Sequence, residues 1–109
     1  MALIYTWESF IRLNGGETGA QDMFEKAMIE LLRSENPGNE VYTTKNTQDE
    51  GGTDIYVRLE EGVEIYHCKF ILGSMNYYRW SQISDSFSRA MEPNGVKKLR
   101  WVLCMPREM

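Results

Sequence analysis

The chain has 109 residues, 42% hydrophobic and 26% charged, with a formal net charge of -4. That suffices for one domain with a single modest core and is too short for two. The acidic balance excludes a surface that grips nucleic acid everywhere, because phosphate contacts come from Lys and Arg, although it leaves room for a local basic strip. No run approaches the roughly 18–20 apolar residues of a membrane span, and the opening MALIYTWESF lacks the basic and apolar segments of a signal peptide. A cytoplasmic protein without a membrane partner is expected.

Leu3, Trp7, Phe10 and Ile11 recur at near-helical spacing, with Thr6 as a cap and Asn14-Gly15-Gly16 as a stop, so a short first helix is predicted. Phe24, Ala27, Met28, Leu31 and Leu32 then predict a second helix, capped by Thr18 or Asp22 and broken at Pro37-Gly38. Val41 to Thr44 is β-branched and aromatic, hence strand-like. After the polar stretch KNTQDEGG, Thr53 to Leu59 and Val63 to Leu72 read as two strands joined by a hairpin turn at Glu60-Glu61-Gly62. Trp80, Ile83, Phe87, Ala90 and Met91 predict the buried face of a third helix ending at Pro93-Asn94-Gly95. Leu99 to Cys104 is a last strand, expected to pair in parallel through the helical crossover.

The order is therefore α-α-β-β-β-α-β, an α/β sandwich on a mixed sheet. The chain stops five residues after its last strand, which leaves an uncovered edge and suggests an N-terminal module of a longer protein. Cys68 and Cys104 both sit in apolar strand-like runs and are expected to be reduced core thiols.

Side chains alternate across a strand, so Val63, Ile65, His67 and Lys69 point to one face, and Glu64, Tyr66, Cys68 and Phe70 to the other. Running both hairpin strands back from the turn brings Asp54 beside residues 67 to 69. A carboxylate, an imidazole and an ammonium gathered at one sheet end are able to bind a divalent cation and orient a water. A Lys inside an apolar strand is uncommon unless it is paired or functional.

The segments FEKAMIELL (24–32), EVYTT (40–44), GGTDIYV (51–57) and VEIYHCKF (63–70) resemble the Mrr-type restriction-endonuclease core of the PD-(D/E)xK superfamily. In that pattern a helix carries Glu, a Gly-rich loop leads to Asp, and a later strand carries Glu or Gln, any residue, then Lys. Glu25, Asp54 and Lys69 match those positions, over about residues 20 to 105. The resemblance implies an α-β-β-β-α-β core on a mixed sheet flanked by helices. It also implies that Asp54 and the Cys68 carbonyl hold Mg2+ or Mn2+, that Lys69 assists the attacking water, and that Glu25 completes the outer or second-metal shell. The expected activity is hydrolysis of phosphodiester bonds in DNA, double-stranded DNA being favoured. The expected setting is the effector module of a restriction or antiphage-defence protein, possible as a homodimer. His67 stands where the family carries Glu or Gln, and imidazole favours later transition metals over magnesium. It is counted with Asp54, Glu25 and Cys68 among the candidate ligands. The alternative is a catalytically degenerate nuclease fold that binds nucleic acid or a partner.

Arg79, Gln82, Ser86 and Arg89 fall at spacings of three, four and three on the third helix, a pattern that suits either a phosphate-contacting face or a solvated one. Lys45, Asn46 and Gln48 lie in the loop leading to Asp54, where they either meet the nucleic-acid backbone or are plain loop residues. The Gly-rich run Asn14 to Gly19 has no Gly-Lys-Ser/Thr ending, and two distant cysteines with one histidine satisfy neither a zinc knuckle nor a Ser-His-Asp hydrolase.

Overall fold

The computed structural model describes residues 6–44, 52–70 and 75–106. The elements are α1 (Trp7–Leu13), α2 (Glu17–Glu35), β1 (Val41–Thr44), β2 (Gly52–Arg58), β3 (Val63–Lys69), α3 (Tyr77–Ala90) and β4 (Lys98–Cys104). They build an α/β domain on a four-stranded mixed sheet in the order β1-β2-β3-β4, with β1, β2 and β3 antiparallel and β4 parallel to β3. The parallel last pair follows from the helical crossover that α3 supplies. No described helix is long and apolar enough to cross a membrane.

Thr6 caps α1 by accepting the Ser9 N–H at 3.0 Å. α2 begins earlier than expected, at Glu17, behind an N-cap Gly16 with φ 121° that provides no side-chain cap. Thr18 therefore lies inside the first turn and is not its cap. The elbow between α1 and α2 needs Gly19, because a Cβ there would stand 1.7 Å from the Asn14 carbonyl oxygen. In the β2–β3 hairpin the Leu59 N–H donates to the Gly62 carbonyl at 2.8 Å, and this turn sets the register of both strands. β3 stops at Lys69, and residues 71 and 72 of its expected extension lie outside the described residues.

One face of the sheet is the core. Val41, Ile55, Val57, Tyr66 and Cys68 are buried there under Leu32, with Phe24, Met28 and Ile29 of α2 packed around them. Each fully buried aliphatic side chain of this kind stabilises the fold by about 1.5–3 kcal/mol. At the end of β3, Trp7, Phe10, Phe24 and Phe70 form an aromatic cluster that ties both N-terminal helices to the strand. β4 is fastened to β3 by Arg100, which donates to the Tyr66 hydroxyl at 2.7 Å and pairs with Glu64 at 2.8 Å.

α3 covers the opposite face, and its orientation differs from the sequence expectation. Ile83 is buried as foreseen, but Trp80 is 51% and Phe87 43% exposed, and Met91 is exposed too, while Ser86 is only 4% exposed. The sheet face beneath it carries His67 and Lys69, and a helix meeting buried polar groups must bring polar partners of its own. The helix is accordingly turned so that Gln82 and Ser86 look inward beside Ile83.

Candidate active site

The hairpin register makes Asp54 and His67 direct cross-strand partners and sets Gly52 opposite Lys69. Direct cross-strand neighbours on one face can touch, and here Asp54 Oδ1 lies 2.7 Å from His67 Nδ1. An ionised carboxylate only accepts, so Nδ1 carries the shared proton. The imidazole is 0% exposed and stacks on Trp101 with centroids 5.6 Å apart and planes 20° off parallel. Phe87 closes the stack edge-on from α3. Asp54 is the partly exposed member of the pair.

Lys69 is 5% exposed and donates to Gln82 Oε1 of α3 at 3.0 Å. The Gln82 amide nitrogen in turn donates to the Tyr78 hydroxyl at 3.2 Å, at the exposed start of the helix. A cationic head is thus held on the same sheet face as the Asp54–His67 pair, one strand repeat of roughly 7 Å along from His67.

Glu25 arrives from α2, on the other side of the sheet. Its Oε1 accepts from Gln21 Nε2 at 2.7 Å, and the same nitrogen lies 3.4 Å from the Cys68 carbonyl oxygen. The Cys68 thiol is pushed well above the usual range, first by its hydrogen bond with Cys104, then by burial and the negative charges around it, Glu25 and Asp54 included. Cys104 is held below the usual range by the same contact, against the opposing effect of burial. Both cysteines are free thiols, and they are Cα partners on β3 and β4.

Among the described residues, no group of three His, Cys, Asp or Glu side chains is placed to hold a metal ion. Glu25 and the Cys68 carbonyl share the Gln21 amide nitrogen as a neighbour, while Asp54 stands beside His67 on β2; carboxylate and carbonyl oxygens are the hard donors that magnesium and manganese take. Their chemistry fits such an ion. His67, one of the candidate ligands from the sequence, occupies a different place: its Nδ1 is committed to Asp54 and its ring is sealed beneath Trp101. That contact orients the Asp54 carboxylate.

The candidate nucleic-acid contacts divide. Lys45, with Asn46 and Gln48, lies outside the described residues. Gln82 is engaged with Lys69, and the buried Ser86 hydroxyl accepts from Arg89 at 3.4 Å, so these two belong to the packing between α3 and the sheet. Arg79 is half-buried, and Arg89 is exposed on the outer side of the helix. Sequence reasoning missed Gln21 and Trp101. The first carries a readable signal, a spacing of four before Glu25 on a helix, whereas the second becomes a neighbour of His67 only through the parallel pairing of β3 with β4. Comparison with family models, with curated proteins and with solved structures finds no match for this chain.

Proposed function

We propose that the chain is a restriction-endonuclease-like nuclease domain that hydrolyses DNA phosphodiester bonds with a divalent metal. The observation that carries this reading is the gathering of Asp54, His67 and Lys69 on one face at one end of the sheet, with Glu25 tied to the same strand end through Gln21. The resemblance of the Glu25, Asp54 and Lys69 segments to the Mrr-type core supports it.

In this reading Asp54, the Cys68 carbonyl and Glu25 would hold Mg2+ or Mn2+, which would supply Lewis-acid stabilisation of the phosphate and a more acidic attacking water. His67 holds the Asp54 carboxylate in one orientation by donating Nδ1–H to it. Lys69, almost buried and donating to Gln82, orients the attacking water or steadies the charge that develops on the phosphate. Double-stranded DNA is the proposed substrate, and a restriction or antiphage-defence protein the proposed setting.

The test is nicking of supercoiled plasmid by the purified protein with Mn2+. Lys69→Ala should slow it by at least about 100-fold, and Asp54→Ala should abolish it. Equal cutting by parent and variants would overturn the assignment. The second reading, a degenerate fold that binds nucleic acid or a partner without cutting, draws on His67 standing at the family's Glu or Gln position. It is favoured if DNA retardation persists in chelator while no variant alters the background nicking.

A further inference from the structure

Gln21 lies one helical turn before Glu25 on α2, and both ends of its carboxamide are engaged. Oε1 accepts the Phe70 backbone N–H at 2.6 Å, while Nε2 donates to Glu25 Oε1 at 2.7 Å and reaches the Cys68 carbonyl at 3.4 Å. A backbone N–H only donates, so the Phe70 contact fixes which end of the amide is oxygen and aims the nitrogen at two acceptors. β3 ends at Lys69, which puts the Phe70 N–H beyond the strand ladder and in need of another acceptor. The two backbone groups that Gln21 engages belong to the peptide units immediately before and after Lys69. The aromatic cluster of Trp7, Phe10, Phe24 and Phe70 packs around this junction and limits its movement.

We infer that Gln21 is a positioning residue that sets two parts of the site at once, the Glu25 carboxylate and the backbone on either side of Lys69. The inference rests on the nuclease reading above and deepens it. By holding Oε1 of Glu25 and the carbonyl of Cys68 from one nitrogen, Gln21 keeps two of the proposed metal-binding oxygens within reach of a common point. By holding the Phe70 N–H, it fixes the direction in which Lys69 leaves the strand. Orienting partners of this kind are worth about 10- to 100-fold in metal affinity when removed.

The experiment is calorimetric titration with Mn2+ of the parent protein, Asp54→Ala and Gln21→Met, with melting temperature recorded for each. Methionine has nearly the same length and none of the hydrogen-bonding groups. Asp54→Ala should lose the binding heat, and Gln21→Met should bind about 10- to 100-fold more weakly. In parallel, the parent protein is titrated with Mg2+ and followed by nitrogen-15 NMR. The Gln21 side-chain NH2 and the Phe70 amide should shift and saturate together.

If the parent binds Mn2+ through Asp54 but Gln21→Met binds equally well, the role of Gln21 is overturned and the site reading stands. A lower melting temperature with unchanged affinity has the same meaning, since Gln21 would then be a structural clip alone. If the parent and Asp54→Ala take up Mn2+ alike, the site reading falls, and this inference with it. Should Gln21→Met fail to fold, the NMR titration of the parent decides: movement of the Gln21 resonances supports the role, and their silence overturns it.

Discussion

Towards α2 the sheet presents Val41, Ile55, Val57, Tyr66 and Cys68, closed over by Leu32. Towards α3 it presents Asp54, His67 and Lys69, with Ile65 and Ile83 supplying the apolar part. The first face loses little by leaving water, because its groups are apolar or hydrogen-bonded, the Tyr66 hydroxyl to Glu64 and Arg100. The second buries an imidazole and an ammonium, each costly unless partnered, and it commits Asp54, Gln82 and Trp101 to those two groups. Apolar packing is concentrated on one side of four strands and buried polar groups on the other. The α3 helix bears the consequence, since aligning its polar residues with the sheet leaves Trp80 and Phe87 half in solvent.

The contrast can be broken by substitution, beginning with the deepest site. Ile55→Ala, in the fully buried core beneath α2, should cost about 2–5 kcal/mol in denaturant unfolding; a smaller loss would mean that this face is not the stabilising one. His67→Ala removes the partner of Asp54 and the ring stacked on Trp101, and should cost about 1–3 kcal/mol. An unchanged unfolding midpoint would show that the pair is not formed in solution. Lys69→Met replaces a buried amine by an apolar chain of similar length, and should raise stability by about 0.5–2 kcal/mol while, on the proposed nuclease reading, abolishing nicking. A fall in stability would show that Lys69 belongs to the structural side of the ledger. Trp80→Gln should change stability by less than about 0.5 kcal/mol. Had Trp80 been part of the buried face its spacing suggests, removal of so large a ring would cost several times more, so thermal melting of this one variant tests how α3 is turned.

Much of the fold was legible because it depends on local rules. The Glu60-Glu61-Gly62 turn fixed the hairpin register, and period-two alternation then put His67 and Lys69 on one face with Asp54 across from them. The three helices followed from spacing and stop signals, and the parallel last strand from the crossover. The rotation of α3 did not follow. Its apolar residues give a clear helical stripe, but hydrophobic spacing takes the facing surface to be apolar, and here that surface contains Lys69, which Gln82 must meet. His67 could be counted as a ligand from its position alone; its burial against Trp101 depends on a strand more than thirty residues further along the chain.

Asp54 and Lys69 stood out in the sequence by residue type and strand position, Glu25 only through the resemblance to the Mrr-type pattern, and the α/β class stood out by periodicity, because those properties are written within short stretches of chain. What tertiary structure alone decided was how the groups are partnered: His67 with Asp54, Lys69 with Gln82, and Glu25 joined to the end of β3 through Gln21. Those partners come from α2, α3 and β4, elements whose mutual packing is set by how all the buried polar and apolar groups are satisfied together.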